Sequence, residues 1–265
     1  MKVLFFGDIV GSPGITAVSD VLPLLVRRYG VDLVIANGEN ATRGFGINYG
    51  DAKKIREAGV DVITLGNHYR NRTSIDDFIE EFDFLVRPYN LRDYDHGVGS
   101  LTVEVHGVPV TVTNLLGTAF MKEEVASPMV CMHDAIAAAP EGIHIVDYHG
   151  ESTSEKATFA YYFDGQLSAV LGTHTHVQTN DARVLPLGTA FISDVGMCGP
   201  YESVIGFEPQ SVIERLVYGG PNPMRIAEEG SRCINAVLMD FDEETFVAKS
   251  IVPLFYIDGK ERVYC

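Results

Sequence analysis

The first half of the chain alternates apolar, strand-like segments with helix-like ones, and this alternation constrains the fold most. The strand-like segments are KVLFFGD, VDLVIANGEN, VDVITLGNH and FLVRPYN, and helix-like segments separate them at residues 14–28, 48–58 and 74–82. Apolar strands that alternate with helices are typical of a parallel sheet covered by helices on both faces. The pattern therefore predicts an α/β fold.

The second half is richer in strands. SLTVEVHGVPVTVTNLLG predicts a hairpin that turns at His106 and Gly107, and INAVLMDFD with FVAKSIVPLFYI predicts a closing antiparallel pair. GIHIVDYHGES, LSAVLGTHTH and TAFISDVG predict further strands, and residues 117–140 and 207–217 predict helices. With no internal repeat or linker, we expect one domain over residues 1–265, with two sheets sandwiched between helix layers.

Charge and composition exclude several function classes. Among 265 residues, 36 are Asp or Glu and 20 are Lys or Arg, so the formal net charge is −16. Such a chain repels nucleic-acid backbones and anionic membranes, whereas a small anionic substrate is compatible if a metal supplies positive charge. The apolar start is too short for a signal peptide or a membrane span, and four cysteines without a CxxC pair are typical of reduced thiols. We expect a cytoplasmic protein with no membrane partner and no extended nucleic-acid partner.

The stretch LGTHTHVQ, residues 171–178, first suggests a metal. His174 and His176 follow an apolar run that predicts a buried strand ending at Gly172. In extended chain, alternate residues share a face, so the two imidazoles are expected to point the same way and Thr175 the other way. A surface His-x-His pair without a role is the alternative for this fragment alone.

Metal-capable side chains recur where the predicted strands end. In open α/β sheets, ligands bind outside the carboxyl ends of the strands, and the topology can bring distant residues to one rim. Each residue alone has a structural alternative as a helix cap, a turn residue or a hydrogen-bonded interior histidine. Their joint recurrence favours a metal site with seven candidate ligands, next to which His68 also lies: Asp8, Glu39, Asn40, Asn67, His149, His174 and His176.

The chemistry of these side chains favours two cations. Carboxylate oxygens, amide carbonyls and neutral imidazoles suit divalent Mn, Fe or Zn, and seven candidate ligands exceed one tetrahedral site. A carboxylate can bridge two cations roughly 3.5–4 Å apart, an arrangement used in phosphate-ester hydrolysis. Because ligating histidines must be neutral, metal affinity should fall at acid pH.

These motifs resemble the calcineurin-like metallophosphoesterases, and more closely their bacterial YmdB-type branch, which is linked to 2′,3′-cyclic nucleotide phosphodiesterase activity. FFGDIVG, ANGENA, TLGNH, DYHGE and GTHTHVQT occur here in order and extend over essentially the whole chain. The resemblance implies a four-layer α/β/β/α sandwich of two mixed sheets. It also implies a dinuclear phosphodiesterase in which metal-activated hydroxide attacks a small diester.

Carried over by motif, the ligands divide into two sets. Asp8, Asn40 and His176 would hold one metal, Glu39 would bridge, and Asn67, His149 and His174 would hold the other. His68 resembles the general acid that protonates the leaving alkoxide, since imidazole titrates near neutral pH. The alternative is a histidine that only orients the phosphate.

Three positions depart from the superfamily pattern. Val10 stands where Asp-x-His has its histidine, Glu39-Asn40 replaces part of Gly-Asp-x-x-Asp, and Tyr69 replaces an acid that orients the preceding histidine. A nitrogen ligand exchanged for oxygen shifts preference toward harder ions, so Fe or Mn is expected over Zn. The Tyr69 departure affects the orientation of His68.

Substrate selection is expected in the loops. Residues 41–48, ATRGFGIN, follow two ligands directly and predict either a mobile flap, with Arg43 near phosphate and Phe45 near a base, or an ordinary connection. Residues 194–206 are the other candidate loop.

The alternatives to a cyclic-nucleotide phosphodiesterase are a phosphomonoesterase, either a nucleotidase or a protein phosphatase, and a non-catalytic nucleotide or RNA sensor. A dinucleotide-binding domain is disfavoured because GDIVGSPG is not GxGxxG, and a homo-oligomer is compatible with the sequence.

Overall fold

A computed structural model describes residues 1–71, 73–92 and 94–262 of the chain. In these ranges the α-helices are α1 (Gly11–Tyr29), α2 (Tyr49–Glu57), α3 (Pro128–Ala138), α4 (Thr153–Tyr162) and α5 (Pro209–Leu216). The strands are β1 (Lys2–Phe6), β2 (Asp8–Ile9), β3 (Leu33–Asn37), β4 (Val62–Thr64), β5 (Leu85–Val86), β6 (Ser100–Val105), β7 (Val108–Leu116), β8 (Ile143–His149), β9 (Ala169–Thr173), β10 (Arg183–Val184), β11 (Ala190–Ile192), β12 (Met197–Pro200), β13 (Arg232–Phe241), β14 (Ala248–Ile257) and β15 (Lys260–Glu261).

The strands form two mixed sheets. The first has the order β15-β14-β13-β1-β3-β4-β5, and its strands β1, β3, β4 and β5 are parallel. Strand β12 pairs with β13, and β2 pairs with β12. The second has the order β10-β11-β9-β8-β7-β6, with β11, β9, β8 and β7 parallel. The parallel strands carry their carboxyl ends to one rim of the molecule, where the candidate site lies.

Residue alternation along the strands builds the layers. In β1, Val3 and Phe5 face the apolar core between the sheets, whereas Leu4 and Phe6 face α1 and α2. Successive strand side chains point to opposite faces, so a strand buried on both faces must be apolar throughout. On the far side of the second sheet, a separate core includes Tyr148 and residues of α3 and α4. The predicted four-layer α/β/β/α sandwich is confirmed.

Several local predictions are confirmed and others are wrong. The β6–β7 hairpin turns at His106 and Gly107, whose φ values of 53° and 81° are the left-handed pair of a tight hairpin turn. The predicted helix over 74–82 is instead two short 3-10 helices, Thr73–Asp77 and Ile79–Glu81, because so short a segment follows its tertiary contacts.

Helix α4 was not predicted, although a local signal marks its start. The Ser152 side chain accepts a hydrogen bond from the Glu155 backbone N–H at 3.3 Å, so the Ser-x-x-Glu spacing forms an N-terminal cap. Its amphipathic pattern is obscured because Lys156 occupies a buried position.

In the described part of the chain, no helix has both the length and the apolar character needed to cross a membrane. Cys131, Cys198 and Cys233 carry free thiols, while Cys265 lies outside the described residues.

Buried His144 makes the fold sensitive to acid. Its ring contacts Thr113 Oγ1 at 2.8 Å, and burial lowers its pKa from 6.5 to about 4. Above pH 6.5 the ring is neutral in both states. As the pH falls toward 4, the unfolded chain binds a proton that the folded chain does not, so stability decreases by about 3 kcal/mol.

We expect His144→Gln to remove this part of the acid sensitivity. Urea denaturation at pH 7.5 and pH 4.5 should show a smaller stability difference for this variant than for the native chain. The exposed His133, replaced by Gln, is the matched control and should retain the native difference. An equal acid loss in all three proteins would contradict the assignment.

Candidate metal centre

The metal-capable residues of the sequence lie together at the rim formed by both sheets. Asp8 opens β2 directly after β1, Glu39 and Asn40 follow β3, and Asn67 and His68 follow β4. His149 ends β8 in the second sheet, and the two remaining histidines, His174 and His176, follow β9. Asp8, Glu39, Asn40 and His149 are at most 1% exposed. Such burial of charged groups requires compensating partners.

Glu39 stands at the middle of the cluster. Its Oε1 lies 3.1 Å from Asn40 Nδ2 and 3.1 Å from His149 Nε2, and its Oε2 accepts the His68 backbone N–H at 3.0 Å. The absence of a side chain at Gly66 makes room for this carboxylate, because a Cβ there would collide with Glu39 and His149. One carboxylate thus touches residues from both sheets.

On one side of Glu39 lie Asp8, Asn40 and His176. Asn40 Nδ2 lies 3.0 Å from His176 Nε2 and 3.5 Å from Asp8 Oδ1, while Asn40 Oδ1 contacts His68 Nδ1 at 2.9 Å. The amide therefore turns its NH₂ group to the cluster. A cation there would require the amide oxygen instead, which a half-turn of this nearly symmetric group supplies without repacking.

On the other side lie Asn67, His149 and His174. His149 Nε2 is 3.0 Å from Asn67 Oδ1 and 3.1 Å from His174 Nδ1. Single ligand atoms of Glu39, His149 and His174 all lie within 4.8 Å of one another. Two ring nitrogens and a carboxylate oxygen this close form a donor set that a divalent cation can bind.

The outer nitrogen of each histidine has its own partner. His149 Nδ1 is 2.8 Å from Thr173 Oγ1, which donates to Asp147 Oδ1 at 2.6 Å. His176 Nδ1 is 2.9 Å from the Ile205 carbonyl, and His174 Nε2 is 3.2 Å from Glu151 Oε2. A proton held at the outer nitrogen leaves the inner one, Nε2 or Nδ1, as a lone pair for a cation.

The buried carboxylates of the cluster favour a positive charge beside them. Burial alone would lower the pKa of His149, but the neighbouring Glu39 and Asp8 carboxylates raise it to about 9. Burial opposes ionisation of Glu39, yet His149 and His68 hold its pKa well below the usual range. Burial and the charge on His149 lower the pKa of His174 to about 3. A divalent cation would supply this positive charge, so the residues fit a metal.

The loop of His174 and His176 is not extended, contrary to the sequence prediction. The strand ends at Thr173, and the two histidines have φ values of 106° and 67°. Left-handed backbone at non-glycine residues costs free energy and persists only where contacts hold it. The two rings converge on the cluster through this turn and not through strand alternation.

A buried ion pair holds this turn. Lys156 Nζ from α4 donates to the Thr173 carbonyl at 2.8 Å and to Asp194 Oδ2 at 3.1 Å. The same Asp194 carboxylate accepts the backbone N–H groups of Thr175 and Gly196, each at 2.9 Å. Both side chains of the pair are at most 1% exposed. The pair therefore positions the histidine loop from beneath.

We expect Lys156→Met to lower the free energy of unfolding by about 3–5 kcal/mol, because it leaves the Asp194 carboxylate buried without its counter-charge. Urea denaturation measures this change. Lys53→Met is the control, since Lys53 is exposed and pairs with Glu57 only at 3.9 Å on the surface; its effect should stay below about 1 kcal/mol. A similar small loss for both variants would show that the buried pair does not support the fold.

His68 is oriented by residues that sequence reasoning did not assign to it. Its Nδ1 lies 2.9 Å from Asn40 Oδ1 and 3.4 Å from Glu39 Oε1. Phe45 stands edge-on to the ring, with centroids 5.0 Å apart at 81°. Tyr69 packs instead on Tyr94, with centroids 5.2 Å apart. The acid missing from position 69 is thus replaced by Asn40 and Glu39.

Arg43 and Phe45, the two residues of loop 41–48 for which substrate roles were predicted, differ in their contacts. Arg43 is exposed and makes no hydrogen bond or ion pair within the described ranges. Phe45 packs on His68 and also on Phe207, at a centroid distance of 5.4 Å. The substrate roles of Arg43 and Phe45 stay predictions. Residues around the cluster that the sequence did not single out are Asp147, Glu151, Lys156 and Thr173. Within the candidate loop 194–206, it gave no individual role to Asp194 or Ile205. A carboxylate two residues from a ligand histidine is the one local signal for Asp147 and Glu151.

Comparison with known proteins matches nearly the whole chain to one family. A family model described as YmdB-like protein matches residues 4–254. The 2′,3′-cyclic-nucleotide 2′-phosphodiesterase of Bacillus subtilis (strain 168) is 40% identical over 253 residues, which cover 95% of each chain.

Two solved structures resemble this chain in both fold and sequence. A hypothetical protein from Thermus thermophilus has a TM-score of 0.90 and 39% identity, covering 97% of this chain and 99% of that one. A protein described as a novel phosphatase from Mycoplasma pneumoniae has a TM-score of 0.91 and 35% identity, covering 97% and 93%. The similarity therefore extends over the sheets, the helices and the rim that carries the cluster.

Proposed function

The chain belongs to the YmdB-like protein family, and from this premise we propose that it is a metal-dependent phosphoric diester hydrolase. Its substrates are small phosphodiesters, with 2′,3′-cyclic nucleotides as the class. The relative from Bacillus subtilis bears the name of this activity. The formal net charge of −16 supports a small substrate over an extended nucleic acid.

The position of Glu39 carries the proposal. Its Oε1 touches Asn40 on one side and His149 on the other, each at 3.1 Å, so it can serve two cation positions. Asp8, Asn40 and His176 would hold one cation, and Asn67, His149 and His174 the other. Bound cations would supply the Lewis acidity that activates water and offsets phosphate charge. The oxygen-rich ligand set supports Fe or Mn over Zn.

His68 serves as the general acid in this proposal. Asn40 contacts its Nδ1, and after the half-turn that would direct the amide oxygen to a cation, the Asn40 NH₂ group would donate to Nδ1 and leave the ring proton on Nε2. Within the described residues, Nε2 makes no hydrogen bond. The side chain is 25% exposed, so a substrate oxygen can reach the ring while Phe45 restricts its rotation. A proton delivered from Nε2 to the departing ribose oxygen completes the bond cleavage.

The leaving group tests this role of His68. We expect His68→Ala to lower kcat for adenosine 2′,3′-cyclic phosphate by about 10²–10⁴-fold, because an alkoxide needs a proton as it leaves. Bis(p-nitrophenyl) phosphate, whose phenolate leaves unprotonated, should lose less than about tenfold. Equal losses on both substrates with unchanged metal content would assign His68 to phosphate orientation instead.

Phosphomonoester hydrolysis is the second candidate, because the Mycoplasma pneumoniae structure is described as a phosphatase. The same cations would serve both reactions, so only substrates separate them. Purified, metal-loaded protein should hydrolyse 2′,3′-cyclic nucleotides with a kcat/KM well above that for nucleoside monophosphates and phosphopeptides. The reverse order would favour the phosphomonoesterase. Tight nucleotide binding without turnover would favour a sensor.

A further inference from the structure

A cavity of about 600 Å³ lies beside the metal centre at the same rim. Strand β13 runs antiparallel to β1, so its first residues lie where β1 ends, and the Gly7 N–H bonds the Asn235 carbonyl at 3.1 Å. His176 lies at the boundary between the metal centre and the cavity. Its Nε2 faces Asn40, while its Nδ1 contacts the carbonyl of Ile205, which lines the cavity. The cavity therefore begins about one imidazole width from the cluster.

The walls of this cavity suit a flat aromatic group. Tyr201 and Phe255 form an aromatic pair with centroids 6.1 Å apart, and Tyr201 is 47% exposed. Polar groups of the wall are held in place. The Gln178 Nε2 group lies 3.1–3.4 Å from three backbone carbonyls, and Asn235 Nδ2 donates to the Met197 carbonyl at 2.7 Å. Small-molecule sites of roughly 300–1,000 Å³ commonly combine apolar walls with a few fixed polar groups.

The other aromatic group near the cluster is less suited to stack on a ligand. Phe45 presents its ring to His68 on one side and to Phe207 on another. Phe207 is itself only 5% exposed. Phe45 is partly buried and already packs on two protein rings, whereas the Tyr201 ring retains open surface.

We propose that the cavity between His176 and Phe255 binds the nucleobase of the substrate, with the base stacked on Tyr201. This inference rests on the proposed function and deepens it, because it places the cyclic phosphate at the cluster and the base beyond His176. Base–aromatic stacking contributes roughly 5- to 150-fold in affinity. The cavity thus makes the enzyme select nucleotides over cyclic phosphates that lack a base.

A pair of substrates isolates the base. Adenosine 2′,3′-cyclic phosphate and methyl β-ribofuranoside 2′,3′-cyclic phosphate share the same strained diester, and only the first carries a base. We expect kcat/KM of the native protein to favour the adenosine compound by at least tenfold. Tyr201→Ala should lower kcat/KM about tenfold for that compound, through KM, and clearly less for the methyl riboside. Tyr161→Ala, on α4 and 54% exposed, is the matched control and should change neither.

A binding measurement tests the cavity without turnover. The chain contains no tryptophan, so Tyr201→Trp places the one tryptophan in the cavity wall, where it can be excited selectively over the tyrosines. Adenosine, which has no phosphate, should quench its fluorescence saturably, whereas methyl riboside should not. Tyr161→Trp, the fluorescent control, should show no saturable quenching.

The outcomes separate the two proposals. If the native protein hydrolyses both cyclic phosphates equally well and adenosine does not quench the Tyr201→Trp variant, the base does not bind in the cavity and this inference is wrong. A selective loss in Phe45→Ala instead of Tyr201→Ala would also overturn it, in favour of the flap. If adenosine quenches saturably but neither cyclic phosphate is hydrolysed, the cavity binds the base and the proposed hydrolysis is wrong.

Discussion

Replacing Glu39 by Gln is expected to reduce diester hydrolysis by about 10³-fold or more, equivalent to about 4 kcal/mol in the activation barrier. The substitution removes one negative charge where Glu39 Oε1 meets both Asn40 and His149 at 3.1 Å. An amide has a single oxygen and no charge, so it cannot serve two cation positions as a carboxylate does. Bound metal should fall below the native value in the same variant.

Two further substitutions make this result specific. Glu57→Gln, on the exposed surface of α2, should leave turnover unchanged. Glu151→Gln affects only the outer nitrogen of His174, at 3.2 Å, and should lower turnover or metal affinity by about 10- to 100-fold. The circular dichroism spectra of all three variants should match that of the native protein, so that any loss of turnover is not a loss of fold. A Glu39→Gln protein that keeps most of its activity would exclude the bridging role.

Removal of metal is expected to have the second large effect, a loss of hydrolysis by at least about 10³-fold that added Mn²⁺ or Fe²⁺ reverses. Without a cation, Asp8 and Glu39 remain at most 1% exposed and close together, and burial raises the pKa of Asp8. Dialysis against a chelator, elemental analysis and activity on a cyclic nucleotide measure the effect.

Thermal unfolding provides a readout of the same step that does not depend on turnover. A ligand at about 1,000 times its dissociation constant stabilises the folded state by about 4 kcal/mol, or roughly 8–16 °C in Tm for a chain of this size. His144→Gln, away from the cluster, should show the same metal-dependent rise, whereas Glu39→Gln should show little. Chelated protein with native activity and native Tm would rule out a metal-dependent mechanism.

The layers of the fold could be predicted because they depend on local pattern. Val3, Leu4, Phe5 and Phe6 are all apolar, which requires a strand buried on both faces, and the helix-like segments between such strands require a parallel sheet. Helix α4 was missed because Lys156 breaks its apolar stripe. A lysine buried against Asp194 cannot be recognised until the two residues, 38 positions apart, are brought together.

The cluster shows the same division between local and distant causes. Polar residues directly after buried strands mark the rim, so Asp8, Glu39 and His149 could be singled out from their neighbours in the chain alone. How His174 and His176 reach the rim could not be predicted, since their left-handed φ values depend on hydrogen bonds from the loop backbone to Asp8 and Asp194.

The sequence by itself determined the α/β layering, the rim where the site lies and the chemical types of its donors, because strand alternation and strand ends are properties of neighbouring residues. The motifs implied that Glu39 bridges two sets of donors, but only the tertiary structure decided which atoms Glu39 contacts, which nitrogen of each histidine faces inward, and that a cavity adjoins His176. These features depend on side-chain contacts between segments far apart in the chain, and the packing of the two sheets sets those contacts.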